Sequence, residues 1–363
     1  MYIKKVKLEN YRNYKELDVE FDRNVNIILG ENAQGKTNLI ESIYISSMGK
    51  SFRTSKDKET IKFDADLCRI KTDYYKYEED KNVEIAISKE GKKAVKVDGV
   101  NIKKISQLME NILTVIFSPE DLKIIKEDPS KRRSFIDREL CQLKISYYNN
   151  LSNYKKTLSQ RNSYLKENNI DNKMLEVFNM QLANYGSHII KERVNFIKKL
   201  NLISQEIHNK ITNGKEEIEI KYVSDIPVEE DVSAICENFL NALKKCEGKD
   251  IHLRTTSRGP HKDDLKVIIN KVDARKFGSQ GQQRTAALAL KLAEINLIIE
   301  EKEESPILLL DDVMSELDNE RQKFLVNSLK NVQIFLTTTE LNDDVRENMP
   351  HGKIINIKKG KIT

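Results

Sequence analysis

Eight consecutive residues, 30–37, read GENAQGKT and match the pattern G-x-x-x-x-G-K-[ST] at every fixed position. In this pattern the glycines let successive backbone N–H groups point inward at phosphate oxygens. Lys36 can then reach the β- and γ-phosphates of a nucleotide, and Thr37 can offer its hydroxyl to Mg²⁺. The predicted phosphate-binding residues are Gly30, Glu31, Asn32, Ala33, Gln34, Gly35, Lys36 and Thr37.

The segments on either side of this loop have the patterns of a strand and a helix. Residues 25–29 are a short apolar run that ends at a glycine, as a buried strand does. After the loop, Leu39, Ile40 and Ile43 recur with helical spacing, so a helix beginning near Lys36 points its positive end at the same anion. The order strand, loop, helix favours a phosphate cradle over the alternative, a glycine-rich turn with an exposed lysine.

Two adjacent carboxylates follow a second apolar run, residues 307–310, and are Asp311 and Asp312. In a parallel sheet we expect this strand to lie next to the phosphate-loop strand and to deliver both acids to the same edge. Asp311 would then hold Mg²⁺, and Asp312 would orient or deprotonate an attacking water. The alternative is a strand followed by a solvated acidic turn.

A second predicted anion-binding position lies in residues 277–284, FGSQGQQR, which lead directly into an alanine- and leucine-rich helical pattern. Ser279 and the amide of Gly281 therefore lie at a helix N-terminus. One nucleotide hardly needs two such positions from one chain. We therefore predict that this one serves the nucleotide of a second copy, although a simple capped helix explains the segment equally well.

The composition indicates a soluble, charge-rich chain: 33% of its 363 residues are charged and the mean hydropathy is -0.58. No apolar stretch approaches the ~20 residues that cross a bilayer, and the N-terminus lacks the apolar block of a secretory signal. The four cysteines are scattered without a C-x-x-C pair, which suits a reducing cytosol and argues against a zinc site. The net charge of +5 permits nucleic-acid binding without establishing it.

Periodicity divides the chain into a strand-rich part and a helical part. Alternating segments predict strands at residues 2–8 and 15–21, three more between 67 and 97, and one at 112–117. Two long helical patterns then cover 129–168 and 174–211. Each would be about 50 Å long, which predicts a projecting helical hairpin, with an ordinary packed helical subdomain as the alternative.

The chain is predicted to return to its first domain near residues 265–269, which read as a strand. We therefore expect an α/β protein in which a helical domain interrupts the domain that holds the phosphate loop. The predicted boundaries are 1–120 for the first half of the head, 121–249 for the helical arm, and 250–363 for the second half.

Four of these segments, in order, resemble the Walker A, signature, Walker B and D-loop elements of ABC-type ATPases: the phosphate loop, Ser-x-Gly-Gln-Gln, LLLDD and SELD. The helical insertion that splits the two halves resembles SMC-like DNA-repair proteins. The match narrows to the RecF family of bacterial recombination proteins and spans nearly the whole chain. The blocks that carry it are GENAQGKTNLIE, GKSFRT, FSPEDL, KRRSFID, TSRGPHKDD, GSQGQQR and LLLDDVMSELD.

The resemblance implies an ABC/SMC-type P-loop ATPase head with an inserted, short coiled-coil-like arm. Lys36, Thr37 and Asp311 would bind Mg-ATP, and Asp312 would polarise the attacking water. Arg12 matches an N-terminal arginine that approaches the nucleotide in related heads.

The resemblance also implies that Ser279, Gly281 and Gln282 close in trans on the γ-phosphate of a partner. ATP would then join two heads into a homodimer that clamps DNA, and hydrolysis would release it. Members of the family recognise gapped DNA at double- and single-strand junctions. With RecO and RecR they help to load RecA, which implies roles in recombinational repair, the SOS response and replication-fork maintenance, in the cytoplasm at the nucleoid.

The chain departs from transporter-type ATPases at two places, and the shorter carboxylate at the first of them predicts weak ATPase activity. Asp312 stands where transporters carry Glu, and Thr338 and Thr339 stand where they carry a switch histidine. A Q-loop glutamine cannot be placed, because residues 113–122 contain none. The alternative function is the nucleotide-binding subunit of an ABC transporter, but 243 positions separate Lys36 from Ser279, more than a compact cassette needs.

The sequence offers only candidates for DNA contact, and any one of them could equally belong to a solvated face. They lie at the start of the arm, after the phosphate-loop helix and near the signature. The candidates are Lys131, Arg132, Arg133, Arg138, Lys50, Arg53, Arg275 and Lys276.

Overall fold

A computed structural model describes residues 1–329, 331–340 and 352–363. Contacts divide the chain into two compact units, the first formed by 1–122 with 294–363 and the second by 123–293. The first boundary lies close to the predicted 120/121. The second falls at 293/294, not at 249/250, so residues 250–293 group with the helical insertion in the fold. The functional assignment of 250–363 to the ATPase head stays a prediction.

The described secondary structure agrees in type with most of the sequence pattern. In chain order the strands are β1 Tyr2–Tyr11, β2 Tyr14–Glu20, β3 Val25–Leu29, β4 Leu67–Lys76, β5 Glu79–Ser88, β6 Lys93–Val97, β7 Val100–Asn101, β8 Thr114–Phe117, β9 Ile218–Val223, β10 Asp264–Ile269, β11 Val272–Asp273, β12 Ile307–Asp311, β13 Ile334–Thr338, β14 Gly352–Lys358 and β15 Lys361–Ile362. The helices are α1 Lys36–Met48, α2 Ser106–Met109, α3 Pro129–Leu143, α4 Ile145–Tyr164, α5 Asn172–Thr212, α6 Val232–Leu253, α7 Ala274–Phe277, α8 Gln280–Lys302 and α9 Asn319–Ser328.

The first unit contains an antiparallel sheet in the order β2-β1-β4-β5-β6-β7. Its strands alternate buried and exposed residues, as expected of a sheet with one face on the core and one in water. In the β1–β2 pair, for example, Val6 lies opposite Val19 and Leu8 opposite Leu17, all four buried. The predicted strands of residues 2–21 and 67–97 are therefore confirmed.

A second sheet of the same unit runs in the order β15-β14-β3-β13-β12-β8, parallel except at the β15 edge. Its central strands are buried along nearly their whole length, which explains their unbroken apolar runs. The sequence prediction that β12 lies next to β3 is wrong. Strand β13 lies between them, pairing Leu336 with Ile27 on one side and with Leu310 on the other.

Helix α1 packs against strands of both sheets and is buried almost all round. Because it has no solvated face, its small polar side chains need partners inside the unit. Ser42 donates to Leu39 O at 2.7 Å and Ser47 to Ile112 O at 2.6 Å. These hydroxyls let a helix without an amphipathic stripe sit between two sheets.

The second unit is built on α5, a 41-residue helix about 60 Å long. Its predicted apolar face is confirmed, and it packs against α4, α6 and β9. The first predicted arm is not one helix. Lys144 has extended backbone angles and ends α3 where α4 begins, because α3 packs on β10 while α4 packs on α5.

Residues 264–269 form a strand, as predicted, but the expected return to the first domain does not occur there. β10 pairs with β9 and β11 in a sheet of the second unit, with Leu265 opposite Tyr222 and Ile269 opposite Ile218. Alternation alone cannot say which sheet a strand joins, because pairing partners are chosen in three dimensions.

Buried arginines join two of the family-like blocks, KRRSFID and TSRGPHKDD, inside the second unit. Arg132 makes a bidentate pair with Asp264, at 2.7 and 2.9 Å. Arg193 of α5 donates to Pro260 O and to Asp137 Oδ1, both at 2.7 Å. A buried cation is tolerated only when it is paired and hydrogen-bonded. These two blocks therefore supply partners for the arginines in the interior of the unit.

His261 lies within this interior with both ring nitrogens engaged. Nε2 is 3.0 Å from Thr256 O and Nδ1 is 2.7 Å from the Tyr154 hydroxyl, a pattern that a neutral ring satisfies. The pKa of His261 is lowered from 6.5 to about 4, chiefly by burial; the cations Lys262 and Arg133 also lower this pKa, whereas Thr256 O and the Asp225 charge raise it.

We predict that acid selectively removes the stabilising contribution of His261. Its folded-state pKa lies below its ordinary value, so its contribution is complete above pH 6.5 and is lost as the pH falls to 4. Relative to His261→Gln, the wild type should lose about 3 kcal/mol of unfolding free energy over this range. Urea denaturation of both proteins at pH 7.5, 5.5 and 4.5 measures the difference.

Tyr154→Phe is the control for this prediction, because it removes the same hydrogen bond and keeps the imidazole. The comparison with wild type is necessary because burial raises the pKa of Asp263 to about 6, so that group contributes stability in the opposite direction over the same range. Parallel pH profiles for wild type and His261→Gln would contradict the assignment.

Candidate functional site

The predicted phosphate loop connects β3 to α1 at the carboxyl edge of the parallel sheet. Lys36 is 3% exposed and donates to Gly30 O at 2.6 Å and to Glu31 O at 3.2 Å. Gly35 caps α1 with φ 119°, a conformation that favours glycine, and a Cβ there would meet the Tyr14 hydroxyl at 2.8 Å. One ammonium group is thus held at a tight loop that opens a helix, which is the arrangement that binds phosphate.

Two turns from elsewhere in the first unit hold this loop at Gln34. Asn13 Nδ2, in the β1–β2 turn, donates to Gln34 O at 2.9 Å. In the β14–β15 turn, the Gly360 amide donates to the same oxygen at 3.1 Å and the Lys359 amide to Gln34 Oε1 at 2.6 Å. Nothing in the sequence pattern marked these contacts, which join Gln34 to a turn 21 positions before it and to a turn 325 positions after it.

Asp311 lies at the end of β12 and accepts two hydroxyl hydrogen bonds at one oxygen. Thr37 Oγ1 is 2.9 Å from Asp311 Oδ1, and Thr337 Oγ1, at the end of β13, is 2.8 Å from it. The Thr337 hydroxyl also accepts from the Asp312 amide at 2.9 Å. The structure therefore brings Thr37 and Asp311 together as predicted, and adds Thr337, which the sequence analysis missed.

These residues suit a hard divalent cation. Burial raises the pKa of Asp311, the neighbouring Asp312 charge raises it further, and the two threonine hydroxyls lower it. A buried carboxylate beside a hydroxyl offers the oxygen ligands that Mg²⁺ prefers, and a bound cation would offset the cost of burying the charge. Within the described ranges no group of three or more His, Cys, Asp or Glu could hold a metal, so Thr37 and Asp311 stay the candidate ligands.

Arg12 is held by Glu41, a fully buried acid of α1. Its Nη2 and Nε lie 2.6 and 2.9 Å from the two Glu41 oxygens. Arg53 approaches the same acid at 3.6 Å and donates to Asn38 Oδ1 at 2.7 Å. Both predicted functional arginines are thus tied to the helix that follows the phosphate loop. Glu41 was not singled out in the sequence, although Glu at a buried helical position is a signal for a paired cation.

The predicted signature residues form the start of α8 in the second unit. Gln282 N donates to Ser279 Oγ at 3.2 Å, and Ser279 N donates to Gln282 Oε1 at 2.9 Å. This reciprocal pair is a capping box. Ser279 and Gly281 are exposed at the start of this helix. The phosphate loop and this segment belong to different units of the fold.

The candidate DNA contacts are not equivalent in the structure. Arg132 is 1% exposed and paired with Asp264, so its selection as a surface contact is wrong. Arg133 and Arg138 are partly buried, donating to Asp263 O and to Glu139 at 2.6 Å. The exposed or part-exposed candidates are Lys50, Arg53, Lys131, Arg275 and Lys276.

Among the described residues, no helix combines the length and the apolar character needed to cross a bilayer.

The family model that matches is the RecF/RecN/SMC N terminal domain, over residues 2–361. Curated relatives are similar along their whole length and are named DNA replication and repair protein RecF. The chain is 46% identical over 362 residues to that of Clostridium perfringens (strain SM101), covering 100% of this chain and 99% of the relative. It is 47% identical over 364 residues to that of Clostridioides difficile (strain 630), covering 100% and 98%.

Solved structures agree with this similarity. A structure described as the recombination mediator protein RecF-ATPrS in the RecFOR pathway matches with a TM-score of 0.92 at 41% identity, covering 99% of this chain and 97% of that one. An Smc head bound to the C-winged helix domain of ScpA matches at a TM-score of 0.57 and 17% identity, over 100% and 97%, which shows the shared fold alone. The chain therefore belongs to the RecF family, with the fold of an ABC/SMC-type ATPase head.

Proposed function

We propose that the chain is an ATP-dependent DNA-binding protein of recombinational repair and replication-fork maintenance, in which ATP joins two copies around DNA and hydrolysis releases it. The observation that carries the proposal is the contact between Thr37 and Asp311, which come from positions 274 residues apart. This contact joins the phosphate loop to a buried acid at one edge of the sheet. Membership of the RecF family supports the same function.

In the proposed site residues 30–37 and Arg12 bind ATP. The Lys36 ammonium exchanges the carbonyl oxygens of Gly30 and Glu31 for phosphate oxygens, which carry full negative charge. Thr37 and Asp311 hold Mg²⁺, and the ion when bound supplies the positive charge that neutralises the phosphates. A shift of Arg12 from Glu41 toward the nucleotide requires that the phosphate charge outcompete a buried carboxylate.

Asp312 is the proposed catalytic carboxylate, which orients or deprotonates the attacking water. Its backbone has φ 51°, and its amide is held by the Thr337 hydroxyl, so the side chain leaves the strand end in a defined direction. An aspartate is one methylene shorter than the glutamate of transporter-type ATPases. It should position the water less well, so the chain is proposed to be a weak Mg-dependent ATPase that uses hydrolysis as a switch.

The proposed second half of each nucleotide site comes from a partner chain. Ser279 and Gly281 are exposed at a helix start that Gln282 helps to cap, which suits an anion delivered from outside the chain. The proposed assembly is therefore an ATP-dependent homodimer with two sandwiched nucleotides.

The proposed ligand of this dimer is gapped DNA at a double- and single-strand junction. The exposed cations Lys50, Arg275 and Lys276 can contact phosphates, with Arg53 as a further candidate. The RecFOR pathway named for the solved structure supports partnership with RecO and RecR. The further links of the proposal are to RecA through these partners, and to the cytoplasm at the nucleoid. An ABC transporter subunit is not favoured, because the full-length relatives are DNA replication and repair proteins.

We predict that Thr337→Val lowers ATP turnover by about 10- to 100-fold. Valine keeps the shape of the side chain, but removes the donor to Asp311 and the acceptor for the Asp312 amide. The unfolding free energy should fall by only about 1–2 kcal/mol. Phosphate release and thermal melting measure the two effects. Thr72→Val, which removes another buried hydroxyl contact at Ser46, should cost similar stability without the loss of turnover.

We predict that ATP converts the chain from monomer to dimer. Light scattering with and without Mg-ATP should show the dimer for wild type, and Asp312→Asn should retain it because only water activation is impaired. Lys36→Arg and Ser279→Arg should stay monomeric, since each changes one half of the proposed composite site. Dimers formed equally by Lys36→Arg and Ser279→Arg would exclude the sandwich.

We predict that DNA binding in the presence of ATP falls steeply with salt, by roughly one unit of log-log slope for each phosphate contact. Arg275→Ala with Lys276→Ala should reduce the slope by about two. Fluorescence anisotropy on gapped DNA between 50 and 300 mM salt, as rough limits, measures the slope. Lys221→Ala, which removes an exposed cation paired with Glu219, is the control. An affinity independent of salt would refute the phosphate contacts.

A further inference from the structure

Gln282 makes side-chain contacts in two directions within the second unit. Its Oε1 accepts from the Ser279 amide at 2.9 Å, which completes the capping box of α8. Its Nε2 donates to Glu216 Oε1 at 2.8 Å. The capping box is therefore joined to an acid that lies 66 positions earlier in the chain.

Glu216 lies on the short connection between the end of α5 and the start of β9. Its side chain is 22% exposed, and its second oxygen is 3.7 Å from Nε2 of His208, a buried residue in the last turns of α5. Neither ring nitrogen of His208 has a hydrogen-bond partner among the described residues. Glu216 is thus placed between the end of the long helix and the start of α8.

The Glu216 carboxylate fixes the orientation of the Gln282 amide. An ionised carboxylate can only accept, so it selects the NH₂ end of the amide and leaves the carbonyl end to face Ser279 N. With the amide held, Gln282 N donates to Ser279 Oγ, and the hydroxyl proton of Ser279 stays available for an anion. Without the carboxylate, the amide can rotate and the box loses its preorganised form.

We propose that Glu216 is a positioning residue for the segment that closes on the partner's γ-phosphate. It holds Ser279 and the Gly281 amide in the geometry that receives the phosphate, acting through Gln282. Because Glu216 lies in the short connection that follows α5, and also approaches His208 in the last turns of that helix, the same contact carries a displacement of the arm helix end to the phosphate-binding segment. This inference rests on the proposed composite site.

The test compares Glu216→Ala with Glu216→Gln, which keeps an acceptor oxygen for Gln282 Nε2. We expect the ATP-dependent dimer to dissociate about tenfold more readily in Glu216→Ala and to change less than about twofold in Glu216→Gln, measured by light scattering over a protein dilution series. Glu217→Ala removes a neighbouring exposed carboxylate and should match wild type.

A double-mutant cycle tests the route of the effect. Gln282→Ala should weaken the dimer by a similar factor, and Glu216→Ala should add no further loss in that background, because the two residues act through one contact. Binding of a fluorescent ATP analogue to the dilute monomer should be unchanged in every variant. That readout separates positioning of the trans segment from a general loss of structure.

The outcomes distinguish this inference from the function on which it rests. If wild type forms the ATP-dependent dimer and Glu216→Ala forms an equally stable one, the inference is overturned but the proposed function is not. Additive effects in the double-mutant cycle have the same consequence. Glu216→Ala and Gln282→Ala could both lose ATP binding by the monomer or show a large drop in melting temperature. Either result would mean that Glu216 has a merely structural role, and would also overturn the inference. A wild-type chain that stays monomeric with ATP overturns the proposed function together with this inference.

Discussion

The proposed nucleotide half-site depends on one buried carboxylate, Asp311, and on the hydroxyls that hold it. Thr37 reaches it from the start of α1 and Thr337 from the end of β13. Because parallel strands end at the same edge, three distant segments meet at one oxygen. Removing a charge from water is costly, so a cation is the ligand we propose for this position, with a phosphate at the neighbouring loop that contains Lys36.

The rest of the first unit restrains the elements that meet at this point. Two turns, one near each end of the chain, form hydrogen bonds with Gln34. Glu41 of α1 forms ion pairs with Arg12 and Arg53. The helix behind the loop is covered by both sheets, so its position is set by packing and not by its own amphipathicity. If the proposed phosphate binding moves Arg12 or Arg53, these contacts restrain the surrounding elements while the arginine side chains change partners.

In the second unit, buried ion pairs add to the apolar core that α5 and its neighbours form. Arg132, Arg161 and Arg193 are all nearly inaccessible and each is paired with an aspartate. This explains why Arg132, in the charge-rich block KRRSFID, lies in the interior, although Lys131 of the same block is exposed. A charged residue that becomes buried must be paired, and its partner can be another residue of the same chain as well as a ligand.

Sequence alone determined the phosphate loop, the types and approximate limits of most elements, the long apolar face of α5 and the capped start of α8, because each depends on local spacing. Only the tertiary structure decided that β13 separates β3 from β12, that β10 pairs with β9, that α3 and α4 part at Lys144, and that Arg132 is buried. It also supplied Thr337, Glu41 and Glu216. These outcomes depend on which distant segments pack together, and periodicity along a chain carries no information about that choice.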